Sequence, residues 1–219
     1  MFRAIDVVGR GRLGAALAAR AAAAGCLADD QPPDLVVICV PDRAIASVAA
    51  ARPVGPWIAH VSGATPLAAL APHSLRFGLH PLQTFTRHRG PEQFDGAWAA
   101  VTAESDDARE RGRWLAGILG LRPFDLAESS RILYHAGAAM ASGYLVTLYR
   151  AAARLLDHAG APPEALVPLM RRTIDNGFQM TGPIARGDHD TVTAHLAAIR
   201  RDAPDLEALY RALADRTAS

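Results

Sequence analysis

The sequence contains no lysine; all 23 of its Lys+Arg positions are arginine. A Schiff-base mechanism and a lysine proton donor are thereby excluded. Cysteine is nearly absent as well. Cys26 and Cys39 are too few for a disulfide framework or a thiolate metal cluster. Cys39 lies inside the apolar run LVVICV and reads as a buried, inert thiol. Excess charge is also missing: 23 basic residues against 22 acidic ones leave +1. Nucleic acid and anionic membrane surfaces therefore find no electrostatic footprint. No apolar run reaches ~18 residues without a charge or turn signal, and no basic and apolar leader opens the chain. A soluble cytoplasmic protein with a small-molecule partner, and neither nucleic acid nor membrane as a partner, is the expectation.

What is there belongs to a folded chain. Half of the 219 residues are hydrophobic and 21% are charged, enough for one large core or two small ones. Residues 4–8, AIDVV, form a β-rich run that leads directly into Gly9-Arg10-Gly11-Arg12-Leu13-Gly14. The helix formers LGAALAARAAAA follow and close on Gly25. In such a strand–turn–helix unit the first glycine makes the tight turn and the second admits a pyrophosphate to the backbone. The third packs helix on strand, so that Gly9 to Gly14 present backbone amides to an anion. Arg10 and Arg12 place charge beside that position.

LVVICV, between Asp34 and Pro41, is continuous and β-branched, as in a strand buried on both faces of a parallel sheet. A helix is expected from Asp42, strands over WIAHVSG, FGLHP, AWAAVTAE and LRPFDLA, and a helix over 106–119. From Ser129 the texture becomes helical: one long stretch over 129–158, a second helix after Pro163, and two more near the end. The fold class is therefore α/β. A shortened Rossmann-like parallel sheet over residues 1–126 precedes an all-helical domain over residues 127–219.

The shortening is read from spacing. The acidic residue that holds a ribose lies ~20 positions after the glycines in such folds, and by counting Asp29 and Asp30 fall there. The linker Gln31-Pro32-Pro33 spans only about 10 Å at ~3.3–3.6 Å per residue, too short to return from a full strand. So residues 4–8 should lie next to LVVICV, parallel to it and at or near the sheet edge. If the first helix keeps its usual face, that crossover is left-handed, against a rule obeyed in about 98% of cases.

The first half resembles the Rossmann domains of the pyrroline-5-carboxylate reductase and 6-phosphogluconate dehydrogenase-like superfamily. More specifically, the chain is similar to the Rossmann-like and DUF2520 domain-containing family. The matching strings are His60-Val-Ser62-Gly63-Ala64, GLHPLQTF from Gly78, Tyr134-His135-Ala136, Asp175-Asn176 and TGPIARGD from Thr181. The resemblance covers nearly the whole chain and departs in one place. Family members carry a strand, a helix and another strand where this chain has only Cys26 to Pro33. The resemblance implies NAD or NADP as cofactor, a loop under it at Val40, Pro41 and Asp42, and a homodimer through the helical domain.

Candidate site residues follow from both readings. Ser62 and Gly63 end a strand at the ligand edge, where small residues leave room for a nicotinamide or a substrate. His80 ends another strand and can hydrogen-bond a carbonyl or imine. Tyr134 and His135 open the long helix, where the superfamily places a proton donor, often a lysine. Without lysine, His135 is the general acid, since imidazole titrates near neutrality. Asn176, a poor helix former inside an amphipathic helix, suggests a hydrogen-bonding duty. Asp188, His189 and Asp190 read as a loop with an N-cap rather than as metal ligands.

The leading function is an NAD(P)-dependent oxidoreductase acting on a small C=O or C=N substrate. The alternative is a Rossmann-fold protein that has lost or altered its dinucleotide site and serves as a small-ligand binding or interaction module. A methyltransferase ranks last. Loss of the adenosine flank is expected to weaken dinucleotide binding by several kcal/mol, at ~1.5–3 for a charged hydrogen bond plus lost apolar burial, unless Arg10 and Arg12 or a second subunit replace it.

Overall fold

The computed structural model describes residues 1–28 and 31–218. Asp29 and Asp30, the ribose candidates by counting, lie outside the described residues. The chain divides into two compact units, Met1–Met140 and a second beginning at Ala141.

The first unit is a six-stranded sheet in simple sequential order: β1 (Ile5–Val8), β2 (Leu35–Ile38), β3 (Trp57–His60), β4 (Arg76–Pro81), β5 (Trp98–Ala103) and β6 (Arg122–Asp125). Strands β1 to β4 are parallel, β5 runs antiparallel to β4, and β6 is parallel to β5. The sheet is mostly parallel, as expected, with β5 as the exception. Only the 3₁₀ turn Pro91–Phe94 interrupts the β4–β5 connection, and without a crossover helix the chain can only double back.

Every side chain of β2 is buried, as its unbroken apolar run demands. One face of the sheet packs Leu17, Ala18 and Ala21 of α1 (Arg12–Ala23) and Leu115 of α3 (Asp106–Ile118) against Val37, Phe77 and Val101. The other face packs Ile45 and Ala49 of α2 (Asp42–Ala50), with Leu67 and Leu70, against Val36, Ile38 and Ile58. Burial of each such Leu, Ile or Phe is worth ~1.5–3 kcal/mol. This two-faced core holds the ends of β1 to β4 in place under the site.

The β1–β2 pairing is as expected, with Ile5 beside Leu35 and Val8 beside Ile38. The route between them is not the direct one. After α1 the chain first reaches the outer side of β1, where Leu27 forms a parallel bridge to Ile5. The Ile5 N–H donates to the Cys26 carbonyl at 2.8 Å, and the Ala28 N–H donates to the Ile5 carbonyl at 2.9 Å. The chain then comes back to β2, where the Asp34 carboxylate accepts from the N–H groups of Arg3 (2.7 Å) and Ala4 (3.1 Å). This detour resolves the handedness conflict. The step from β1 through α1 to Leu27 and the step from β2 through α2 to β3 use opposite faces and opposite directions. They therefore share one hand, which the crossover rule makes right-handed. Among the described residues a single pair stands in the place of the missing strand.

α4 (Arg131–Ala139) closes the first unit. The long helix read over 129–158 is interrupted by a π-helical turn, Met140–Tyr144, before α5 (Leu145–His158). The second unit continues with α6 (Leu166–Asp175), α7 (His189–Asp202) and α8 (Glu207–Ala218). Asp188 caps α7 by accepting from the Thr191 N–H at 3.0 Å, as its place in the sequence predicts. Ile199, Ala203 and Leu206 form a small core with Ala151, Leu155 and Tyr210, and Arg154 grips Asp205 through two hydrogen bonds. No helix is long and apolar enough to cross a membrane among the described residues.

Candidate active site

The Gly-rich turn forms between β1 and α1 as the motif requires. Gly9 has φ +102°, and a Cβ there would stand 2.6 Å from the Cys39 carbonyl oxygen. A Cβ on Gly14 would come within 2.0 Å of the Gly9 carbonyl oxygen and 3.0 Å of the Cys39 Cβ. Packing of α1 on β1 and β2 thus dictates both glycines. Gly11 differs: nothing lies within 4 Å of the Cβ it lacks, so its backbone stays open to a ligand. Leu13 packs on the core, while Arg10 and Arg12 are exposed. Burial pushes the Cys39 thiol up to about 12, so it is inert under this turn.

Beside it, Val40 and Pro41 lead from β2 into α2, whose first residue is Asp42. The Ser62 hydroxyl donates to the Asp42 carboxylate at 2.8 Å and accepts from the N–H groups of Ala64 (3.2 Å) and Thr65 (2.9 Å). These bonds commit Ser62, nearly buried, to shaping its own loop and tying it to the start of α2.

The predicted chemical residues of the first unit converge. The His80 Nδ1 lies 2.8 Å from the Tyr134 hydroxyl, and the His80 and His135 rings meet edge-on with centroids 5.8 Å apart. Gly63 sits against both: a Cβ there would be 2.5 Å from the His135 Cδ2 and 3.0 Å from the His80 Nε2. Burial, with the nearby His135 and Arg131, lowers His80 to about 4, so its imidazole is neutral at pH 7. Burial raises Tyr134 to about 12 against the opposing pull of Arg131, so its phenol keeps its proton. Phe124 packs edge-on against the Tyr134 ring.

Asn176 belongs to the second unit and is the C-cap of α6, not a residue inside a helix. Gly177 and Phe178 follow with positive φ, and the Phe178 N–H closes on the Thr173 carbonyl at 3.0 Å. The penalty that asparagine pays inside a helix does not apply at its terminus, which removes the propensity argument for a special duty.

Arg131 is the residue that sequence reasoning missed. Only 2% exposed, it donates from Nη1 to the Thr102 hydroxyl (2.9 Å) and from Nη2 to the Ser62 carbonyl (2.5 Å). The Glu128 carboxylate is 3.9 Å from its Nε and also accepts from the Leu67 N–H at 2.8 Å. The guanidinium crosses β4 at Gly78, where a Cβ would stand 2.9 Å from Nη1. His60 is fully buried alongside, with both ring nitrogens unpartnered among the described residues. Burial and Arg131 lower it to about 4. An arginine opening a helix carries no signal in a sequence. The glycine in the middle of β4 does, since such a glycine marks a close approach.

A family model described as Domain of unknown function (DUF2520) matches residues 97–217, more than half of the chain. The chain belongs to the DUF2520 family. No curated protein matches its sequence. Among solved structures, a Bacteroides fragilis protein provisionally assigned as an NADP oxidoreductase is 20% identical with a TM-score of 0.81, covering 99% of this chain and 98% of that one. A Thermotoga maritima protein is 23% identical with a TM-score of 0.79, covering 98% of each chain. The 1-pyrroline-5-carboxylate reductase of Streptococcus pyogenes is 16% identical with a TM-score of 0.62, covering 98% of this chain and 96% of that one. These likenesses establish a Rossmann-like fold with a helical C-terminal region. No group of three or more His, Cys, Asp or Glu suited to a metal occurs among the described residues.

Proposed function

We propose that this DUF2520 protein is an NAD(P)-dependent oxidoreductase acting on a small C=O or C=N substrate. The observation that carries this is the meeting of His80, Tyr134 and His135 around Gly63. His80 lies near the end of β4 and the other two on α4, in the same unit as the Gly-rich turn that leaves Gly11 open. Gly9 to Gly14 would hold the diphosphate, and Val40, Pro41 and Asp42 the neighbouring loop. The dinucleotide supplies or accepts a hydride when bound. If the Tyr134 O–H donates to Nδ1, the neutral His80 carries its proton on Nε2 and presents it to the substrate oxygen or nitrogen. His135 then delivers the proton that balances the hydride at that atom. Fold likeness to a protein named for a pyrroline reductase supports the C=N half of the substrate class.

The test is loss of reduced-nicotinamide absorbance with a panel of small ketones, aldehydes and cyclic imines. His135→Ala should lower kcat/KM by about a hundredfold or more, with unchanged circular dichroism. An unaffected rate would remove His135 from the chemistry. The missing adenosine flank favours the second reading, a small-ligand binding module without dinucleotide. Absence of any melting shift with NADH or NADPH would select it.

The partner proposed for the second unit is another copy of this chain. Tyr144, Leu169, Phe178 and Met180 are each more than half exposed, and α5 buries no residue fully. Amphipathic helices over so small a core are usually covered by another surface.

A further inference from the structure

Beside the Gly-rich turn, α1 and the segment Thr86–Pro91 enclose a cleft of about 340 Å³, within the ~300–1,000 Å³ range of small-ligand pockets. Four arginines line it: Arg10 and Arg12 from one side, Arg87 and Arg89 from the other. Many arginines elsewhere in this chain sit on carboxylates, as Arg76 does on Glu104, Arg113 on Asp125 and Arg200 on Glu207. Here Arg10, Arg12 and Arg87 have no ion pair among the described residues, and Arg89 has only Glu92, 3.5 Å away. Four like charges around one cleft repel one another until an anion enters.

The second wall is held in place before any ligand arrives. Gln93, 3% exposed, accepts from the Thr86 N–H at 2.8 Å. Its amide donates to the carbonyls of Arg89 and Gly90, both at 2.9 Å. Arg20 ties the following Pro91 carbonyl at 2.7 Å. A loop fixed this way loses little entropy on binding. Planar guanidiniums match phosphate oxygens in pairs.

We propose that this cleft binds a phosphate monoester, the one that an NADP-type dinucleotide carries on its adenosine ribose. The arginines would replace the strand-and-helix flank that this chain lacks, and the protein would select NADPH over NADH. The assignment rests on the oxidoreductase reading for its ligand and on Arg87, Arg89 and Gln93 for its site.

Titration of the full-length protein with NADPH and NADH, followed by nicotinamide fluorescence, tests it. The expected result is at least tenfold tighter binding of NADPH, reduced to within about threefold in Arg87→Ala/Arg89→Ala and restored in part by Arg87→Lys/Arg89→Lys. NADH should bind wild type and double variant alike. Equal affinities for the two dinucleotides, or a preference that survives the double variant, would overturn the proposal while leaving the oxidoreductase reading intact. If neither dinucleotide binds, that reading fails and calorimetry with inorganic pyrophosphate decides the cleft. Heat lost in the double variant would support a phosphate site, and no heat with wild type would overturn it.

Discussion

Two glycines in the first unit are defined by the side chains that press on them. Gly63 lies under both imidazoles of the candidate site, and Gly78 lets the Arg131 guanidinium pass over β4. Gly63→Ala should push His135 and His80 apart while leaving the Gly-rich turn untouched. We expect kcat/KM to fall about a hundredfold, as for other displacements near 1 Å, with dinucleotide affinity within a few-fold of wild type. Arg131→Met should be costlier for folding than for binding. It strips the Ser62 carbonyl and the Thr102 hydroxyl of their donor, at ~1–3 kcal/mol for each buried group left unpaired. Urea denaturation should show a loss of about 3 kcal/mol, and a loss below about 1 would mean that water replaces the guanidinium. Of this site, the histidines and Tyr134 could be read from the sequence because their residue types are unusual at strand and helix ends. Arg131 could not, since a buried arginine and a solvated one look alike until the fold shows what lies across from them.

Elements β3 and β4 each carry a neutral histidine, the fully buried His60 and the half-buried His80, and both have folded-state values near 4. The unfolded chain takes up these protons near the ordinary value of 6.5, so it binds more protons than the folded one between about pH 4 and 6.5. Stability therefore rises with pH across that window, is fully present above it and is lost as the pH falls. At 1.36 kcal/mol per unit, His60 alone accounts for about 3 kcal/mol between pH 7 and pH 4. Urea midpoints measured from pH 7.5 down to 4.5 should fall steadily, and His60→Phe should flatten part of that slope. A profile that is flat, or steepest above pH 7, would contradict the burial of these rings. Most elements were legible for a plain reason: β2 is apolar on every residue and α1 is nearly pure alanine and leucine. The antiparallel turn of β5 was not legible, because direction depends on what the 82–97 connection lacks rather than on β5 itself. The outer bridge at Leu27 escaped notice because one residue pair has no periodicity to read.

At the scale of the whole molecule, the apolar faces of α5 and α6 set the expectation. Light scattering at micromolar concentration should give twice the mass of one chain, and Leu169→Glu with Phe178→Glu should shift the protein toward monomer or aggregate. A wild-type monomer would refute the dimer. The change of texture read near residue 128 falls ahead of the division between the compact units, which comes after Met140. Boundaries are harder to place from sequence, because α4, with Gly137 inside it, runs on through the turn Met140–Tyr144 into α5 without a stop.

The segment between Ala28 and Asp34 has a further consequence. Each end is anchored by its own hydrogen bonds, Cys26 and Ala28 to Ile5 and Asp34 to Arg3 and Ala4. The register of β1 against β2 is therefore fixed without reference to what joins them. Doubling the length of such a joint costs only about 0.6 kcal/mol of closure entropy. This is a permissive site for insertion, at which a Rossmann sheet can be shortened or extended at its margin while the Gly-rich turn and the histidine pair stay where they are. Grafting a strand–helix–strand cassette there should yield a folded protein with a melting temperature within a few degrees of the parent, and it would convert a comparison between relatives into an experiment on one chain.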